Sequence, residues 1–466
     1  MVIDHFKHMH RLRQFTLALG DLCALAAGLY AAVALRYFGR PGNELAELII
    51  PMSQLFLAAI IINFIAGLYH TEGVKNSWRF YQKTAIAMLV WTGLGVLYFY
   101  INPGVGVSPK TILVLTAVFG FGLIAVWRYA YNRFLSTSIW QTNIVFVGIT
   151  PEVSELADLI KREPQLGYRV RGVIKNQNDV GALYSDAPAF QALNELFAAN
   201  SADPVNLVVL APHVANSPQL LKDLYTGLFR QIAITNLADL YEELMKRIPP
   251  FTFSEGYFIA NLKEHYKKIY DRFRILADYG AATIIGLIFA ITFPIVGLVI
   301  KISSAGPIFY KQERVGRLGK SFLMYKYRTM KTLSSDGSAE VNGPQFAGHR
   351  DNRITWIGRL LRKSRIDELP QFINILKGQM AIIGPRPERP EFVSELTQKM
   401  PYYALRHLIK PGISGWAQVH NAYYGTIEEN LRKLEYDLYY IKNRGPLLDL
   451  SILLRTVNIL ARMIGR

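Results

Sequence analysis

A chain of 466 residues that is 51% hydrophobic and 19% charged can build a packed core, which excludes the disordered class. Its mean hydropathy of +0.16 averages long uncharged apolar runs with basic segments, which excludes a single water-soluble globule and points to a membrane protein. The formal charge of +17 calls for an anionic partner, an anionic lipid surface or a phosphorylated substrate before nucleic acid, and the single Cys23 excludes an intrachain disulfide or a cysteine metal cluster.

Four apolar stretches come first, near residues 15–36, 46–68, 84–101 and 111–135, each close to the ~20 residues that cross a bilayer as helix. They predict a four-helix transmembrane bundle over 1–140. Basic residues precede the first stretch (Lys7, Arg11, Arg13), recur between the second and third (Lys75, Arg79, Lys83) and follow the fourth (Arg133), which places those segments in the cytoplasm, although Arg36 and Arg40 lie on the other side. An even number of spans leaves the rest of the chain cytoplasmic.

From Asn143 the pattern changes to "NIVFVGI", then the amphipathic "PEVSELADLIKRE", "YRVRGVI", "VNLVVLAP" and "QIAITN". Strands alternating with helices predict a small Rossmann-like parallel α/β domain over 141–250. The turn after the first strand has one glycine, Gly148, followed by Ile149 and Thr150, so the dinucleotide fingerprint is absent and a structural or regulatory module is expected.

Residues 279–300 form an uncharged run of 22 residues containing Pro294. Lys263, Lys267, Lys268, Arg272 and Arg274 precede it, and Lys301, Lys311, Arg314, Arg317 and Lys320 follow it, so both flanks read as cytoplasmic. Proline removes a helical donor and clashes with the preceding turn. The expectation is a re-entrant helix over about 275–302, broken at Pro294, rather than a fifth span.

Seven Lys or Arg residues then lie between Lys311 and Lys331, interleaved with aromatics. Further on, Asp367 and Glu368 are followed by Pro370, which fits only a helix's first turn, so a helix is expected over 367–378 with Asp367 at or near its N-cap. Facing backbone N–H groups and the positive end of the dipole, that carboxylate should stay ionised. Arg362 and Arg365 lie just upstream and "GPRPERP", with Arg386 fixed between prolines, just downstream. A carboxylate among arginines is either a salt-bridge network or a nucleophile in a phosphate site, and these residues leave both open. Asp449 reads equally as an N-cap of the last helix, and the tail after it as a helix packed on the domain or lying among lipid headgroups.

The succession "GPIFYKQERVG", "YKYRTM", "LRKSRIDELPQFINILKGQMAIIGPRP", "LRHLIKPGISGWAQV" and "EYDLYYIKNRGPLLDLSIL" resembles the bacterial sugar transferases, which move a sugar phosphate from a nucleoside diphosphate sugar to polyprenyl phosphate. The resemblance covers 268–466. The four spans and α/β domain ahead of it match the layout of the family's large members, which transfer glucose or galactose phosphate to undecaprenyl phosphate for exopolysaccharide, capsule or O-antigen synthesis. It implies an α-rich monotopic catalytic domain over 260–466. It implies Asp367 as the nucleophile, Glu368 as its partner beside a Mg2+ ion held by both, and Lys326, Arg362, Arg386 and Asp449 around the substrate. It further implies a UDP-sugar donor, release of UMP, the bacterial inner membrane with the catalytic side cytoplasmic, anionic lipid as a partner, no nucleic acid, and room for a homodimer. Two other classes stay open: a membrane-anchored NAD-dependent enzyme modifying a nucleotide sugar, and a non-enzymatic scaffold of a polysaccharide assembly complex.

Overall fold

The computed structural model describes residues 2–37, 42–69, 77–102, 110–135, 141–175, 179, 188–190, 204–214, 224–225, 232–250, 255–262, 267–332, 353–420 and 426–461. Arg40, Lys75 and Lys263, used above for orientation, lie outside the described residues, as do Arg462 and Arg466 of the tail. The chain divides into two compact units, Met1–Met245 and Lys246–Arg466.

The first unit opens with α1 (Val2–Arg36), α2 (Gly42–Ile65), α3 (Trp78–Ile101) and α4 (Lys110–Leu135), which cover the four expected apolar stretches. Within them Gln14–Arg36, Leu45–Ile65, Phe80–Ile101 and Thr111–Phe134 are long and apolar enough to cross a membrane. Leu25, Met52, Trp91 and Leu113 fill the space between these helices. A charged group lies fully buried among them: Arg128 donates to both Asp21 carboxylate oxygens at 3.1 and 2.7 Å, and the Tyr69 hydroxyl donates to the same carboxylate at 2.9 Å. Such a pair ties α1 to α4, because either charge alone would be costly there.

The same unit continues as a five-stranded, all-parallel sheet of β1 (Thr142–Val147), β2 (Tyr168–Ile174), β3 (Ala189–Phe190), β4 (Leu207–Leu210) and β5 (Ala233–Asn236), in the order β3-β2-β1-β4-β5. The β-branched runs read from the sequence form β1, β2, β4 and β5; β3, two residues long, gave no periodic signal. Helix α5 (Pro151–Arg162) follows β1 through Thr150, whose hydroxyl accepts from Val153 N–H, with Pro151 in the first turn where its missing donor costs nothing. Helix α6 (Leu237–Met245) closes the unit. Among the described residues the strand order is that of the doubly wound Rossmann sheet without its sixth strand, while the turn after β1 carries Gly148 alone.

The second unit begins with α7 (Glu255–Asn261) and the 36-residue α8 (Lys268–Ser303). Helix α8 continues through Pro294, which stands inside it, rather than ending there. The helix also starts earlier than expected, because its charged first third is held by polar contacts: Asp271 pairs with Arg444, Tyr270 donates to Asp449, Arg274 donates to the Ile383 carbonyl, and Asp278 accepts from Ile382 N–H at 2.9 Å. Beyond these the helix has two faces. Ala282, Gly286, Phe289, Phe293, Gly297 and Ile300 recur every three or four residues against the unit, whereas Leu287, Ile291, Ile295 and Leu298 are 61–77% exposed. A long apolar stripe is thus left uncovered, on a helix long and apolar enough to cross a membrane. On the packed face Phe289 and Phe293 stack with Phe309, Tyr327 and Phe372.

The antiparallel hairpin β6 (Phe309–Val315) and β7 (Ser321–Tyr327) follows, then α9 (Trp356–Ser364), a 3-10 turn (Ile366–Gln371) and α10 (Phe372–Leu376). After these come β8 (Ala381–Ile383), α11 (Pro390–Lys399), a second 3-10 turn (Tyr403–Leu408), β9 (Gly412–Ser414) parallel to β8, and α12 (Trp416–His420), α13 (Ile427–Asn443) and α14 (Pro446–Ala461). The last helix packs on the domain through Ile452, which is buried, while Leu447, Leu450 and Val457 remain exposed.

Candidate active site

Asp367 and Glu368 sit at the centre of a group assembled by β7, α9, the 3-10 turn and the loop after β8. Asp367 lies near the start of a helical segment, as expected, but Arg365 and not Asp367 takes the cap position. Helix α9 ends at Arg365, in the left-handed region at φ 56, and the 3-10 turn begins immediately, so Asp367 and Glu368 fall inside its first turn with no side-chain cap. In a 3-10 turn residues three apart share a side. Ile366 and Leu369 accordingly pack with Ile300 and Tyr327, while both carboxyl groups are buried elsewhere. The expected helix end is correct: Gly378 follows at φ 71.

Each expected partner has a definite place. Glu368 is fully engaged: Oε1 accepts from Arg386 at 2.7 Å and from Lys326 at 3.3 Å, and Oε2 from Arg365 at 3.4 Å. Lys326 is carried by β7, which Asn374 of α10 fixes by accepting from Tyr325 N–H at 3.1 Å and donating to the Leu323 carbonyl at 2.7 Å. Arg362 donates from Nε to the Thr329 hydroxyl at 2.8 Å. That contact needs α9 close to Thr329, and Gly358 permits it, since a Cβ there would stand 2.0 Å from the Thr329 carbonyl oxygen. Arg386 also donates to Gln418 at 3.3 Å. Around the Asp367 carboxylate, among the described residues, no hydrogen bond or ion pair forms. Its neighbours act on it by charge alone.

The two carboxyl groups are therefore driven apart. Burial pushes Asp367 up, the Glu368 charge adds to this, and Lys326, Arg362 and Arg386 oppose it, leaving Asp367 raised to about 6. Burial acts on Glu368 too, but Arg386, Lys326 and Arg365 outweigh it and hold that carboxyl far below the usual range. The constantly ionised member is thus Glu368 rather than Asp367, because the expected cap contacts to Asp367 are absent and its neighbour is charged. Four cations against two carboxylates leave a positive excess suited to a diphosphate.

Asp449 is not brought into contact with this group. Its Oδ1 accepts from the Tyr440 hydroxyl at 2.7 Å and its Oδ2 from Tyr270, which ties α14 to α13 and α8. Pro294 likewise lies on α8, away from any contact with the carboxylates. A two-carboxylate metal site does not fit this arrangement, since both Glu368 oxygens are taken up by cations. Asp367 alone fits as a ligand, and Mg2+ is commonly held by one or two carboxylates with substrate phosphates completing its shell. Arg365, already read as one of the arginines around the carboxylate, belongs to the site through Glu368. Thr329, Asn374 and Gln418 left no signal in the sequence. The stretch 421–425, in the aromatic segment after Trp416, lies outside the described residues.

The unit that carries this site is similar to known proteins. Residues 269–463 match the family described as bacterial sugar transferase. A UDP-N-acetylgalactosamine-undecaprenyl-phosphate N-acetylgalactosaminephosphotransferase of Aeromonas hydrophila is 46% identical over 160 residues, which is 34% of this chain and 37% of that protein. Proteins named UDP-glucose:undecaprenyl-phosphate glucose-1-phosphate transferase are 30% identical in Escherichia coli, over 65% of this chain and 64% of that protein, and 30% identical in Xanthomonas campestris pv. campestris, over 72% and 69%. The chain thus spans less than two thirds of the Aeromonas and Escherichia relatives.

Proposed function

The chain belongs to the bacterial sugar transferase family, and we propose that it transfers a hexose 1-phosphate from a UDP-sugar to undecaprenyl phosphate and releases UMP. The observation that carries this reading is the contrast between the engaged Glu368 and the buried, unbonded Asp367 carboxylate beside Lys326, Arg362 and Arg386. An Asp367 oxygen attacks the sugar-bearing phosphorus, and the bond from that phosphorus to the bridging oxygen breaks, so UMP leaves with the electron pair. An oxygen of the lipid phosphate then attacks the same phosphorus and returns the Asp367 carboxylate. No net proton is consumed, and the product is the lipid diphosphate sugar. Lys326, Arg362 and Arg386 supply the positive charge that allows an anion to approach a diphosphate, and Glu368 holds Lys326 and Arg386 in place. A Mg2+ ion, when bound through Asp367 and the donor's phosphates, would neutralise further charge on the diphosphate.

Glucose or galactose is the proposed sugar, favoured by the layout of the whole chain; N-acetylgalactosamine is the second reading, favoured by the 46% identity to the Aeromonas transferase. UMP release from a panel of UDP-sugars, with undecaprenyl phosphate present, tests both. Turnover with one donor is expected, and none with any donor would sink the proposal.

The catalytic side belongs in the cytoplasm of the bacterial inner membrane, where UDP-sugars are made, and α8 enters and leaves the bilayer on that face. Support comes from its two ends, both bonded to the same polar unit: Asp271 to Arg444 near the start, and the Ile300 and Ser304 carbonyls to Arg328 at 3.4 and 2.7 Å near the finish. Cysteines at Lys268 and Ser304, in a Cys23→Ser background, should both be labelled from the cytoplasmic side alone. Labelling of position 304 from outside would show a full crossing.

A further inference from the structure

The "GPRPERP" loop cannot hold itself. Pro385, Pro387 and Pro390 have no backbone donors. Yet its four consecutive carbonyls are each satisfied from elsewhere: Pro385 by Gly412 N–H at 3.0 Å, Arg386 by the Arg406 guanidinium at 2.9 Å, Pro387 by Arg314 at 3.1 Å and Glu388 by Val315 N–H at 2.9 Å. The Arg386 carbonyl is the one held by a buried side chain with its own orienting partners. Arg406 is 3% exposed, and besides that carbonyl it donates to Asp437 Oδ2 at 2.8 Å and to the Tyr403 hydroxyl at 2.7 Å. Asp437, on α13, is 1% exposed. Beside them Glu388 is paired with Lys433 and Arg314.

We propose that Arg406, oriented by Asp437, is a positioning residue for Arg386. Its guanidinium fixes the Arg386 main chain from behind, so that the Arg386 side chain keeps its 2.7 Å hold on Glu368 and faces the transferring phosphate. The buried Arg406–Asp437 pair adds little net stability to a fold compared with apolar packing, and its contribution here is direction. This rests on the sugar-phosphate transfer reading, because the group it positions is the one assigned there to the diphosphate.

The test is a double-mutant cycle on the full-length chain in detergent micelles, comparing the parent, Arg386→Met, Arg406→Met and the double variant. UMP release, calorimetric binding of UDP and thermal melting are measured on each. Arg406→Met should lower kcat/KM on the order of 10²-fold, as for a catalytic group displaced by about 1 Å. Added to Arg386→Met it should cost almost nothing more, because the residue it positions is already gone. UDP affinity should show the same coupling. Effects that multiply in the cycle, or a lower melting temperature with parental kcat/KM, would reduce Arg406 to a structural role and overturn the proposal. Should Arg406→Met fail to fold, Arg406→Lys and Asp437→Asn decide the matter: a roughly tenfold loss of UDP affinity is expected in both, and parental affinity in both would overturn it. A parent that binds UDP but releases no UMP would sink the transfer reading alone, with the binding cycle still deciding on Arg406. A parent that does not bind UDP would overturn both.

Discussion

The parallel sheet of the first unit and the catalytic body of the second are held together in opposite ways. In the sheet, Ile144, Val145, Phe146, Leu207, Val208 and Val209 form one continuous apolar core with Leu156 and Ile160 of α5. In the catalytic body the apolar clusters are smaller and separate, and buried charges fill the space between them: Glu368 with Lys326 and Arg386, Glu388 with Lys433, Arg406 with Asp437, Arg247 with Glu435. Apolar packing is non-directional and supplies most of the stability of a fold. A buried ion pair supplies little beyond a hydrophobic replacement but fixes the direction of every group it joins. The sheet is built for stability, and the catalytic body gives up part of that for the placement of a few cations.

Substitutions should therefore separate activity from stability according to region. The largest effect belongs to Asp367→Asn, which should lower UMP release by on the order of 10³-fold or more with the fold intact, because the amide keeps the shape and loses the nucleophile. Substantial residual turnover would make Asp367 structural. Arg386→Lys should follow with a loss of roughly 10²-fold, since a point ammonium cannot reproduce the fork that spans Glu368 and Gln418. Near-parental kcat/KM would remove Arg386 from the phosphate site. The sheet should respond the other way. Leu156→Ala, at a fully buried position, should destabilise the first unit by about 2–5 kcal/mol in denaturant melting, with kcat/KM per folded molecule retained. Loss of kcat/KM in the folded fraction would show that the sheet does more than fold.

What the sequence made legible follows the same division. Periodic features were readable: four apolar spans, four of the five strands, and a turn rich in arginine and carboxylate around Asp367. Features set by partners far along the chain were not. Arg406 meets Arg386 from 20 residues away and Asp437 from 31, and nothing in local spacing announces either. Asp367 stands near the helix start rather than at the cap because Arg365 takes the left-handed conformation and starts the 3-10 turn early. Helix α8 continues through Pro294 because a helix packed along one stripe by Phe289, Phe293 and Gly297 tolerates one missing donor, with the freed carbonyl at Ala290. Asp449 was placed near the substrate by resemblance, whereas its contacts are with Tyr270 and Tyr440.

The smallest expected effects lie inside the carboxylate pair, where the comparison becomes one of neighbours. The pair should give kcat/KM an acidic limb near pH 6, falling about tenfold per pH unit below it and level above, because only ionised Asp367 attacks. Stability should move in opposite directions for the two residues. Asp367 binds its proton more tightly in the folded chain than at its ordinary value of 3.8, so ionising it between about pH 4 and 6 costs the folded state stability. Asp367→Asn should consequently melt above the parent at pH 7, by about 2–4 °C per kcal/mol recovered, and close to it at pH 4. Glu368 is held below its ordinary 4.5, so its contribution is present above that value and is lost as the pH falls toward its depressed folded value. Glu368→Gln should melt below the parent at pH 7, because it leaves Arg386, Lys326 and Arg365 without their shared counter-charge. Melting curves of both variants at pH 4 and pH 7 check the assignment. A shift of the same sign at pH 7 would mean that the two carboxylates share one environment, and the distinction between an engaged Glu368 and an unbonded Asp367 would not stand.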